Sequence, residues 1–206
     1  MTFFERLQRE TEVERGYLLG SPLIRRCLSD GEFTRDEYVA FLTEAFHHVR
    51  HTVPLLMAVG SRLPQEQEPF RVAVAEYIEE ELGHQEWILN DLAACGADAE
   101  AIRHSQPNAA TELMVAYAYD TVMRRNPMGF FGMVFVLEGT SISLATMAAD
   151  IIQKRLGLPN KAFSYLRSHG SLDLEHMVFF ENLMKSLDDE RDRDDIVHAA
   201  RRFYRL

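Results

Sequence analysis

Residues Asn126–Ala149 read NPMGFFGMVFVLEGTSISLATMAA, and Glu138 is the only charged side chain among these twenty-four residues. At helical spacing Phe131, Val134, Phe135, Glu138, Ile142, Ala145 and Ala149 fall on one stripe, which predicts a helix over about 128–155 with Glu138 facing the core. The stretch is long enough to suggest a membrane span. Its central Glu, its Thr and Ser residues, and Gly129, Gly132 and Gly139 fit a buried core helix better. An ionised carboxylate in a dry core costs many kcal/mol unless something pairs with it. Three resolutions are open: an Arg from another helix, a bound cation, or a proton kept on the acid.

Working outward, the chain reads as helix after helix. Thr34-Arg35-Asp36-Glu37 forms a capping box and opens a helix reaching at least Arg50. Pro54 kinks or ends it, and Leu55–Val59 continues the apolar run. A second long helix is expected over 69–94, stopping before Gly96. Others are expected near 108–125, 160–169, 171–187 and 190–206, with shorter ones near 3–19 and 22–29. Pro127 and Pro159 sit where helix starts tolerate proline. No stretch alternates apolar and polar residues between hairpin turns, so no strand is needed. The expectation is an all-α fold forming a single domain over residues 1–206, with a helical pattern still running at Leu206.

A net charge of -10 argues against nucleic acid and against an anionic membrane surface, both of which call for a basic face. The N-terminal segment has no basic stretch followed by an apolar run, so no secretory signal is read there. Cys27 and Cys95 stand outside any metal-type spacing and read as free thiols of a cytoplasmic protein.

The remaining ionisable residues recur on apolar helix faces. Glu44, His48 and His51 share a stripe with Phe41 and Leu55. Glu81 and His84 are three apart on a face with Tyr77 and Ile88, the Glu-x-x-His spacing by which helical bundles hold metals. Glu80 lies equally well four residues from His84, and Glu79 reads as solvated. His169, Asp173 and His176 fall within an arc of roughly 60° on a continuous helix. A break at Gly170-Ser171 would still leave Asp173 and His176 as neighbours. With Glu138, four helices each carry carboxylates or imidazoles on an otherwise buried face. A separate Arg or hydrogen bond for each is the alternative account; one cluster of divalent metal satisfies them all together.

At these residues the sequence resembles the haem-oxygenase-like superfamily that includes thiaminase II and the pyrroloquinoline-quinone synthases. It is most similar to the branch of haem-oxygenase-like dimetal oxidases. That pattern has an early Glu, a Glu followed by His, a later lone Glu in some members, and a closing His-x3-Asp-x2-His; here it matches Glu44, Glu81, His84, Glu138, His169, Asp173 and His176. The resemblance implies a haem-oxygenase-like multi-helix bundle and one or two non-haem iron ions, usually a diiron pair. It also implies O2 as co-substrate, a small organic substrate and a homodimer. His48 and His51 fit less clearly and rank as additional ligands or outer partners. Thiaminase II uses a Cys on a core helix, and neither Cys27 nor Cys95 lies on the helix of Glu138. Haem oxygenase binds haem through a His on its first helix, and residues 1–30 contain none. A metal-free enzyme of the thiaminase II or quinone-synthase type, and a non-catalytic helical binding protein, are the alternatives.

Overall fold

The computed structural model describes all residues except the side chains of Ser143 and of residues 170–175. Asp173 is therefore outside the described side chains. The helices are α1 (Phe3–Glu10), α2 (Glu12–Leu19), α3 (Pro22–Arg25), α4 (Arg35–Val49), α5 (Thr52–Arg62) and α6 (Glu68–Glu81). They continue with α7 (His84–Ala94), α8 (Ala99–Arg103), α9 (Ala109–Arg124), α10 (Phe130–Leu156), α11 (Ser164–Lys185) and α12 (Glu190–Phe203). A π-helical turn over Arg26–Asp30 follows α3, and no strand occurs among the described residues. The fold is all-α, as the periodicity predicts.

Local chemistry explains most boundaries. The Thr34 hydroxyl accepts from the Glu37 N–H at 3.1 Å, and the Glu37 carboxylate accepts from the Thr34 N–H at 2.8 Å, so the capping box is complete. The expected 34–59 helix is instead two helices, interrupted at Arg50–His51. Pro54 becomes the third residue of α5, where a missing N–H removes no intrahelical bond. The expected 69–94 helix is likewise two. Leu82 is extended and Gly83 sits at φ +90°, a conformation that a side chain would strain. In the other direction, the expected 160–169 and 171–187 helices are one continuous helix, α11. Gly170 costs that helix about 1 kcal/mol, and α10 and α11 form the most extensive helix pair of the fold.

The helical segment leading through α10 bends by 45° between Pro127–Ile142, which includes the short 3-10 turn before α10, and Leu144–Leu156. The Ser141 hydroxyl donates back to the Glu138 carbonyl at 3.0 Å, the kind of side-chain bond that with Gly139 bends a helix. No single helix among the described residues is long and apolar enough to cross a membrane.

The apolar interior falls into two clusters. One holds residues of α1, α5, α6, α9 and α12, with Phe130–Val136 of α10 and Phe180–Met184 of α11. The other holds residues of α4 and α7, with Ala145, Ala149 and Ile152 of α10 and Leu166 of α11. Four chain segments pass from one cluster to the other: α4 to α5, α6 to α7, α10 and α11. Between their two apolar ends these segments carry His51, Glu80, Glu81 and His84, Glu138, and His169 and His176. The polar residues thus occupy a layer where the apolar clusters part.

Candidate metal centre

The break between α6 and α7 builds the first half of the site. Glu81 ends one helix and His84 begins the next, yet Glu81 Oε2 lies 2.9 Å from His84 Nδ1. His84 is 2% exposed, with its ring 4.0 Å from Trp87 and edge-on to His169 at 5.0 Å. Tyr165, one turn before His169, packs at 4.8 Å on its ring. One ligand atom from each of Glu81, His84 and His169 lies within 4.8 Å of the others. Two imidazoles and one carboxylate on a common point are the donor set of mononuclear non-haem Fe(II) sites.

Electrostatics fit a cation. Burial pushes the Glu81 carboxyl up, but the His84 contact and the fields of His84, His169 and His176 outweigh it. Glu81 titrates below the usual glutamate range as a result. Burial pushes His48 down to about 4, against the pull of the Glu44 carbonyl. Part of the His48 residue remains accessible, yet its ring is densely surrounded and stays neutral at pH 7.

The second half lies beside it. The Glu138 side chain is 12% exposed, and its Oε1 lies 3.5 Å from His176 Nδ1. Ligand atoms sharing one ion at ~2 Å bonds lie about 3 Å apart, close to this separation. His176 Nε2 lies 2.9 Å from Glu80 Oε2, and Tyr77 packs edge-on against the ring at 5.8 Å. Asp173 lies three residues before His176 in the sequence, and its side chain is outside the described residues.

Glu44 and His51 are not brought into this group, and His48 feels the charges of Glu81 and His169 without joining the convergent three. Both Glu44 oxygens accept the Asn108 N–H at 3.2 Å, at the N-cap of α9. His48 Nδ1 lies 3.3 Å from the Glu44 carbonyl. His51, turned away by the break after α4, meets the Tyr119 hydroxyl at 3.2 Å. Sequence reasoning missed the partner of one carboxylate and the whole role of another. Glu80 reaches another helix, which spacing within α6 cannot reveal. Asp91, fully buried on α7, accepts from the Ser164 and Tyr165 N–H groups at the start of α11. Both cysteines are buried, and burial pushes each thiol up, unlike an activated nucleophile.

The profile of a family described as iron-containing redox enzymes matches residues 39–206. No functionally curated protein matches the sequence. Among solved structures, a domain of unknown function with a haem oxygenase-like fold from Shewanella denitrificans OS217 is 25% identical. It superposes with a TM-score of 0.85 over 98% of this chain and 87% of its own. A TenA homologue from Pseudomonas syringae pv. tomato DC3000 gives a TM-score of 0.81 at 11% identity, covering 98% and 88%. The haem oxygenase from Leptospira interrogans gives 0.78 at 16% identity, covering 99% and 95%. The fold is haem-oxygenase-like.

Proposed function

The chain belongs to the iron-containing redox enzymes, and from that membership we propose that it is a non-haem iron oxidase or oxygenase using O2 on a small organic metabolite. The observation that carries this reading is the convergence of Glu81, His84 and His169 from the end of α6, the start of α7 and the middle of α11. These three residues hold one iron in the proposal; Glu138, Asp173 and His176 hold a second. The donor set fits iron, which suits imidazole and carboxylate together. Bound iron supplies the one-electron chemistry that O2 activation requires.

The chain's own residues do the rest. Glu81 sets its charge against His84 and His169 in a place where water is scarce, which strengthens each contact. Trp87, Tyr165 and Tyr77 pack against the imidazole rings of His84, His169 and His176 and hold their orientation. A homodimer is part of the proposal, and light scattering that gives the mass of one chain counts against it.

The test is anaerobic reconstitution with Fe(II), followed by metal analysis, Mössbauer spectroscopy and O2 uptake. Near-stoichiometric iron that consumes O2 supports the reading, and two irons per chain support the dimetal form. Protein that takes up no iron after reconstitution sinks it in favour of a metal-free enzyme or a binding protein.

A further inference from the structure

We propose that Glu80 is a positioning residue for the second imidazole of this site, fixing His176 as its Nε2–H tautomer and turning the Nδ1 lone pair toward Glu138. The inference rests on the iron reading above and extends it to a residue outside the ligand set.

His176 stands between two carboxylates: Glu80 Oε2 at 2.9 Å from Nε2, and Glu138 Oε1 at 3.5 Å from Nδ1. Ionised carboxylates only accept hydrogen bonds, and a neutral imidazole has one N–H to give. Of these two contacts the one to Glu80 is the shorter, which favours the proton on Nε2. Nδ1 then presents a lone pair to the Glu138 oxygen, an arrangement that a cation between the two converts from repulsion to attraction.

Burial says which carboxylate is the ligand and which the support. The Glu138 side chain is 12% exposed and sits on a core helix, while Glu80 is half-exposed at the end of α6. The imidazole ring therefore separates Glu80 from the proposed ion. Neighbouring residues of one helical turn divide the task, since Glu81 meets His84 and Glu80 meets His176. Carboxylates behind metal-bound imidazoles fix the tautomer and raise ligand basicity, and removing such a partner weakens metal binding roughly 10–100-fold.

The experiment compares wild-type protein with Glu80→Ala, Glu80→Gln and the exposed control Glu79→Ala. Long-range 1H–15N spectra of the apo protein report the His176 tautomer, with the resonance identified by its loss in His176→Gln. Anaerobic Fe(II) titration reports affinity. The expected result is Nε2–H in wild type, in Glu79→Ala and in Glu80→Gln, whose amide oxygen still accepts. Glu80→Ala should shift His176 toward Nδ1–H and weaken Fe(II) binding roughly 10–100-fold, with Glu80→Gln recovering most of the loss. An unchanged tautomer and affinity in Glu80→Ala overturns the inference while leaving the iron reading intact. So does a wild-type ring protonated on both nitrogens. Glu80→Gln binding as poorly as Glu80→Ala with its tautomer preserved makes Glu80 a ligand and also overturns it. If wild-type protein binds no Fe(II), the iron reading falls, and the tautomer spectra still decide whether Glu80 sets the ring.

Discussion

Asp91 belongs to α7, yet it caps α11 through Ser164: its Oδ1 accepts the Ser164 N–H at 3.1 Å and also the Ser164 hydroxyl, while Oδ2 takes the Tyr165 N–H at 2.9 Å. A helix whose own first residues offer no capping side chain is thereby closed by its neighbour. Burial pushes the Asp91 carboxyl up and the three hydrogen bonds pull it down, with burial ahead. Removing the side chain still leaves three donors without their acceptor, at about 1–3 kcal/mol for each that stays dry. Asp91→Ala is expected to lose about 2–3 kcal/mol, read as a lower Tm and denaturant midpoint. A variant as stable as the parent would show that water replaces the cap.

Gly132 marks the crossing of α10 and α12. A Cβ there would stand 2.5 Å from the Ile196 carbonyl oxygen and 2.7 Å from the Ala200 nitrogen, both backbone atoms that cannot rotate away. Alanine's helix preference returns about 1 kcal/mol, whereas forcing two packed helices apart costs about 1–3 kcal/mol or more. Gly132→Ala is expected to be net destabilising in chemical unfolding. An unchanged or raised midpoint would show that α12 slides freely over α10.

His48 predicts a pH dependence. Its folded-state value, pushed down to about 4, lies below the ordinary histidine value of 6.5. On acidification the unfolded chain takes up this proton first, so stability falls as pH drops from about 6.5 toward about 4. The loss from this one group is at most about 3 kcal/mol. His48→Gln is expected to flatten that part of the apo protein's stability profile, and a slope identical to the parent's would assign the effect to another group.

Glu44 and Glu81 separate a structural carboxylate from a ligand. Glu44→Ala removes the acceptor from the Asn108 N–H and is expected to cost about 0.5–1.5 kcal/mol without changing Fe(II) uptake. Glu81→Ala is expected to abolish uptake at the Glu81–His84–His169 group. Loss of iron in Glu44→Ala would return Glu44 to the ligand set.

The helices were legible because apolar residues recur at helical spacing and Thr34 with Glu37 announces a start. The interruptions were not. Gly83 sits inside an unbroken amphipathic pattern, and the extended Leu82 with the positive φ of Gly83 reveals that α6 and α7 are separate. Glu81 and His84 nevertheless lie side by side, because three residues span the break as they would span a turn. Glu44 shows the opposite failure. Its place on the stripe is right, but a free backbone N–H at Asn108, contributed from far along the chain, captures its carboxylate. Glu80 carries a periodic signal toward His84, four residues on, but its partner is His176 on another helix, which no spacing within α6 announces.

The polar layer between the two apolar clusters sets robustness against chemistry within a single slice of the molecule. Carboxylates and imidazoles held out of water there make the metal-free bundle weaker than its helices could make it. Filling the same slice with leucine and phenylalanine of matched volume would weld the two half-cores into one continuous interior. The product would keep every helix, melt at a higher temperature and catalyse nothing. Selection for thermal endurance alone would therefore erase this layer before it disturbed the fold.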